Sequence, residues 1–163
     1  MMAVSPNEQK SKNSPAMKLR DLIKGTTVLL LEERRKGDVL EILVDKAVEL
    51  GFVTDVPVFR SAIDAREALC ATAIGDEIAI PHAKIPGIPA FFVITAVMRN
   101  GVEWDAPDQN PVRIVFLIGG PDNDQKAYLG LLGMILKAVK NVDRKESLFR
   151  SRSTTEIASI LTQ

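Results

Sequence analysis

The chemistry open to this 163-residue chain is narrow, because it holds one histidine, His82, and one cysteine, Cys70. A single imidazole excludes every multi-histidine zinc motif. With scattered carboxylates around it, it makes a poor transition-metal set, so no metal is expected. A single thiol excludes an internal disulfide and a CxxC pair. The sequence has no GxxxxGK[ST] phosphate loop, no GxGxxG turn after a strand and no GxSxG elbow. What remains is an imidazole with an ordinary pKa near 6.5, about three-quarters neutral at pH 7 and nucleophilic in that form. His82 follows the short apolar run Ile78-Ala79-Ile80, which Pro81 halts, and Pro86 and Pro89 break the chain again. Loops at strand ends on a rigid scaffold are where functional groups gather. A lone histidine is also often structural, and position alone leaves both readings open.

Other conspicuous residues read more plainly as structure. Cys70, after an apolar helix end, reads as a small buried hydrophobe with no second histidine to activate it. Trp104, inside the turn-rich GVEWDAPD, reads as a core anchor at a strand junction. Gly130 and Gly133 read as helix-packing positions and the mixed-sign run Glu32-Glu33-Arg34-Arg35-Lys36 as a solvated loop.

The elements that must position His82 follow from periodicity. Residues 28–31 (VLLL) suit a strand. After Lys36-Gly37-Asp38, apolar residues at Leu40, Leu43, Ala47 and Leu50 make the stripe of an amphipathic helix, with Asp38 as N-cap and Gly51 as its stop. Asp55 with Pro57 opens a second helix carrying Phe59, Ile63 and Leu69, with Arg66 and Glu67 near its end. The runs FFVITAVM (91–98) and VRIVFLI (112–118) are β-branched and aromatic, and predict buried strands. A long helix is predicted from about Asp124 to Lys140 with Tyr128, Leu131, Leu132, Ile135 and Val139 on one side, and Ser153-Thr154-Thr155-Glu156 fits a capping box. The expected fold is α/β: one domain, a mixed, mainly parallel sheet with helices on both faces. Residues 1–16, polar and without apolar periodicity, are expected to be a flexible tail, and residues 17–163 the ordered domain.

Lys and Arg number 21 and Asp and Glu number 21, so the formal charge is zero. That removes the electrostatic case for nucleic acid or an anionic membrane as partner. The longest apolar run, residues 90–98, falls short of the about 20 residues that cross a bilayer. With no basic segment leading into an apolar stretch at the N-terminus, a cytoplasmic location is expected and direct membrane insertion is not.

Residues 66–84, REALCATAIGDEIAIPHAK, closely resemble the active-site signature of phosphotransferase-system enzyme IIA domains of the fructose, mannitol and nitrogen-regulatory class (type 2). The matching positions are Arg66, Glu67, Thr72, Gly75, Ile78, Ala79, Ile80, Pro81 and His82. WDAPDQNPVRIVFLIGGP resembles the turn and strand before that family's second active-site helix, and the likeness extends from about Met17 to Gln163. The resemblance implies a phosphotransferase that takes a phosphoryl group on His82 from the phosphohistidine of an HPr-like carrier. It implies that the group passes to an enzyme IIB domain in sugar uptake, or is held as a regulatory mark on nitrogen or carbon use. It further implies Arg66 as the active-site arginine and Asp76, Thr72 and Glu67 as supporting residues, without a cofactor. The residue types suit that chemistry. Phosphoryl transfer spreads charge over three equatorial oxygens, and a planar guanidinium can fork onto two of them.

One position departs from the family. A second histidine often opens the long helix, and here that place, forty-six positions after His82, is Tyr128. A phenol can hydrogen-bond a phosphoryl oxygen but cannot become cationic. The substitution motivates a second reading, a binding module of the same fold that docks to a regulatory partner without transferring phosphate.

Overall fold

The computed structural model describes residues 16–163. The tail expected over residues 1–16 therefore lies, except for Ala16, outside the described residues. Six helices and six strands follow in the order α1 (Leu19–Leu22), β1 (Val28–Leu31), α2 (Lys36–Glu49), α3 (Val56–Leu69), β2 (Ala73–Gly75), β3 (Ile78–Ala79), β4 (His82–Lys84), β5 (Phe92–Val102), β6 (Val112–Gly120), α4 (Gln125–Val139), α5 (Val142–Arg150) and α6 (Thr154–Leu161).

The strands form one mixed sheet in the order β1-β5-β6-β3-β2, with β4 also on β6. The pairings β1–β5, β3–β6 and β4–β6 are parallel, and β5–β6 and β2–β3 antiparallel. Strands β5 and β6 hold the centre, buried on both faces for most of their length, which is why their sequences are continuously apolar. One face packs on α2 and α3 through Leu43, Phe59, Ile63, Trp104 and Leu117; the other packs on α4, α5 and α6 through Phe116, Tyr128, Leu131, Leu148 and Ile157. The α/β expectation with helices on both faces holds. Among the described residues, no helix is long and apolar enough to cross a membrane.

Local signals set several boundaries. Asp55 caps α3 by accepting from the Val58 N–H, and Asp124 caps α4 by accepting from Ala127. Gly51 takes a left-handed φ of +80° beyond the end of α2, where a side chain would be strained. The α2 start is a correction: the helix opens at Lys36, two residues before Asp38, and its N-cap Arg35 offers no side-chain bond. The capping box of α6 is half made. Ser153 accepts from the Glu156 N–H, but the Glu156 carboxylate instead accepts from the buried Ser151 hydroxyl. Trp104 is fully buried, as its reading as a core anchor expects, whereas Cys70 is exposed. Gly130 and Gly133 face open space, so they pack against nothing.

Strands β3 and β4 run along the same edge of β6 in one register, Ile78 opposite Ile114 and His82 opposite Ile118. Between them Pro81 has no N–H to give to a ladder, and the line breaks there. Gly119 and Gly120, opposite Ala83 and Lys84, are required by close approach: a Cβ on either would run into the ring of Phe92 or Phe91. The stretch that carries His82 is thus pinned to the central strand on both sides of a break.

Candidate functional site

The break determines how His82 is presented. Ile80 turns its N–H to the carbonyl of Thr72, 3.0 Å away, and its own carbonyl lies 3.0 Å from His82 Nδ1. A carbonyl only accepts, so the neutral ring carries its proton on Nδ1 and leaves the Nε2 lone pair free. His82 begins β4 rather than sitting in a loop beyond a strand, and its side chain is half-buried.

Three elements converge on the ring. From the last turn of α3, Arg66 donates to the carbonyl of Cys70 at 2.7 Å, which fastens the guanidinium to the helix end. From the first turn of α4, the Tyr128 ring lies 5.4 Å from the imidazole, tilted by 36°. Two residues along β4, Lys84 sets its ammonium 4.3 Å from the centre of the Tyr128 ring and donates to Gln125 Oε1 at 2.6 Å.

The electrostatics follow from these neighbours. The His82 pKa is held below 6.5, first by burial and then by the positive charges of Arg66 and Lys84, against the opposing pull of the Ile80 carbonyl and Glu67. The imidazole is therefore mainly neutral at pH 7. Burial raises the Tyr128 phenol above its ordinary value, with Arg66 pulling the other way, so the hydroxyl keeps its proton and remains a donor.

Glu67 and Thr72 form a bracket behind this face. The Glu67 side chain is only 7% exposed and pairs with Lys36 Nζ at 2.9 Å. Its carboxylate accepts from both the N–H and the hydroxyl of Thr72. Since the Thr72 carbonyl accepts from Ile80, a continuous chain of hydrogen bonds runs from Lys36 through Glu67, Thr72 and Ile80 to His82 Nδ1. Lys36 lies over the buried ring of Trp104 at 5.3 Å, so this member of a run read as solvated anchors the interior instead.

Of the residues named from the sequence, the structure gathers His82, Arg66, Tyr128, Glu67 and Thr72. Asp76 is a correction. It sits in the β2–β3 turn, beside the end of β3 that pairs with Ile114, four β6 residues from the His82 level. At about 3.3 Å per residue that is about 13 Å. Its N–H donates to Asp108 Oδ2 and its carbonyl accepts from Lys145. Lys84 went unnoticed in the sequence. The available signal was strand alternation, which puts residues i and i+2 on one side. Among the described residues, no group of three or more His, Cys, Asp or Glu side chains could hold a metal ion.

A half-buried neutral imidazole with one free nitrogen, flanked by two cations, suits an anionic electrophile. Residues 21–163 match the family described as phosphoenolpyruvate-dependent sugar phosphotransferase system, EIIA 2. A Nitrogen regulatory protein of Bradyrhizobium diazoefficiens is 31% identical over 146 residues, spanning 89% of this chain and 95% of that one. The PTS system fructose-specific EIIA component of Haloferax volcanii is 29% identical, over 78% of this chain and 83% of its own. The crystal structure of the nitrogen regulatory protein IIA-Ntr from Neisseria meningitidis superposes with a TM-score of 0.81 at 25% identity, over 88% of this chain and 99% of that one.

Proposed function

The chain belongs to the phosphoenolpyruvate-dependent sugar phosphotransferase system EIIA 2 family, and on that footing we propose that His82 accepts a phosphoryl group on Nε2 from the phosphohistidine of an HPr-like carrier. The Nε2 lone pair forms the new N–P bond as the carrier's N–P bond breaks, and the departing imidazole keeps the electron pair of that bond. The His82 proton stays on Nδ1, against the Ile80 carbonyl, so the step needs no general base. The charge of Arg66 reaches His82 and a guanidinium can fork onto two equatorial oxygens, which supports the reading because the loose transition state asks the protein chiefly for positioned charge. The observation that carries this reading is the Nδ1–Ile80 contact of 3.0 Å, which leaves one nucleophilic nitrogen facing two cations.

The phosphoryl group then passes to an enzyme IIB domain or is held as a regulatory mark. Nitrogen-regulatory and fructose-specific relatives stand at 31% and 29% identity, which favours neither outlet strongly. The exposed Leu69 beside Arg66 on α3 and Leu129 beside Tyr128 on α4 offer apolar contacts to a protein donor. Tyr128, in the place of a second histidine, favours one further reading, a domain that regulates by docking alone.

Incubation with phosphoenolpyruvate, enzyme I and HPr separates the two. The phosphocarrier reading expects one acid-labile, base-stable phosphate per chain, since no second imidazole exists. A chain that stays unlabelled with cognate carriers yet binds a regulatory partner is a docking module.

A further inference from the structure

We propose that Lys84 is a phosphoryl-binding residue, supplying with Arg66 the second positive charge that holds the group on His82. The inference rests on the phosphocarrier reading and adds a residue to its site.

A phosphoryl group near pH 7 carries a charge between about −1.5 and −2, which a single guanidinium does not neutralise. The second histidine that often opens the long helix in this family is absent, and Tyr128, in that place, remains a neutral phenol. The missing charge is present in another form. His82 and Lys84 are alternate residues of β4, so both side chains leave the same side of the strand. The Tyr128 ring lies close to both: the imidazole at 5.4 Å and the ammonium at 4.3 Å from the ring centre. A cation over a phenol ring is attracted to it without being neutralised, and an ammonium has three donors. One goes to Gln125 Oε1 at 2.6 Å, and the others remain for phosphoryl oxygens. Among the described residues, no carboxylate forms an ion pair with Lys84 or with Arg66. The Lys84 charge already reaches His82, whose protonated form it disfavours. Tyr128 thereby acts as a platform for a cation beside the imidazole.

The test compares wild type with Lys84→Met and Lys84→Arg by two routes. With phosphoenolpyruvate, enzyme I and HPr, Lys84→Met should label about ten-fold more slowly or worse, and Lys84→Arg should keep most of the rate. Separately, phosphoramidate phosphorylates His82 chemically, its own N–P bond breaking as ammonia leaves, and the ³¹P resonance is titrated. A neighbouring ammonium favours the phosphoryl dianion, so Lys84→Met should raise the phosphoryl pKa and Lys84→Arg should leave it close to wild type. A phosphoryl pKa equal in wild type and Lys84→Met overturns the proposal, as does an arginine variant no better than the methionine one. If HPr fails to label even the wild type, the phosphocarrier reading fails, and the phosphoramidate titration still decides the role of Lys84.

Discussion

The two ends of the β3–β4 edge both gather charged residues, yet they treat them differently. At the Asp76 end, the charges of Glu77, Arg113, Lys145 and Asp108 meet their opposites or a fixed dipole. Glu77 lies 4.0 Å from Arg113 and 3.8 Å from Lys145, Lys145 also donates to the Asp76 carbonyl at 3.1 Å, and Asp108 accepts from the Asp76 N–H at 2.9 Å. At the His82 end, Arg66 rests on a carbonyl and Lys84 on an amide, so two full charges are aimed rather than cancelled. The first arrangement latches a tight turn whose Asp76 and Glu77 both take left-handed backbone, φ +53° and +68°. The second leaves a positive potential around a neutral imidazole, the arrangement that the proposed phosphoryl acceptor needs. An acidic residue near an arginine in sequence is therefore poor evidence of partnership; what counts is which end of the strand it occupies.

Substitutions at the two ends should diverge sharply. His82→Ala is expected to abolish phosphoryl labelling from HPr entirely. Arg66→Ala should slow labelling by about 10²-fold, the scale for losing one stabiliser of transition-state charge. The same variant should raise the His82 pKa, measured on the single imidazole by proton NMR, because a positive neighbour is gone. Glu67→Ala removes the acceptor of a buried Thr72 and should cost about 1–3 kcal/mol in denaturant unfolding, with labelling slowed through a displaced Ile80 carbonyl. Tyr128→Phe keeps the ring beneath Lys84 and loses only the hydroxyl, so a few-fold slowing at most is expected. Asp76→Asn, which tolerates left-handed backbone, should leave labelling unchanged. A loss there comparable to that of Arg66→Ala would erase the contrast between the two ends.

The pH dependence has a definite sign. The folded His82 pKa lies below the ordinary 6.5. Between that lowered value and 6.5 the unfolded chain binds more protons, so stability rises with pH through that window and is fully present above it. Stability curves taken from pH 7 downward should lose this contribution in wild type and lose none in His82→Ala.

Much of the fold was legible because its signals are local. Strands β5 and β6 announce themselves as β-branched runs, and Asp55, Asp124 and Ser153 mark helix starts by chemistry that needs no tertiary context. Helix α5 gave little notice, since its amphipathic stripe is thin and Leu148 alone is buried in it. Lys36 and Cys70 were misjudged for one reason: whether a side chain is covered depends on what another element brings to it. Lys36 meets Glu67 from α3 and Trp104 from the loop after β5, whereas nothing covers Cys70. At the site, composition and spacing isolated His82 but could not choose its role; Arg66, Glu67 and Thr72 came from resemblance. The Ile80 carbonyl was out of reach, because only the broken ladder at Pro81 turns it toward the ring.

The central claim is that Nε2 of His82 takes the phosphoryl group. Imidazole ¹⁵N spectra of uniformly labelled protein, recorded before and after incubation with phosphoenolpyruvate, enzyme I and HPr, read both ring atoms of the only histidine. Before incubation at pH 7 they should show a neutral ring with its proton on Nδ1, and afterwards phosphorus bonded to Nε2. Phosphorus on Nδ1, or a ring unchanged by the carriers, would contradict it.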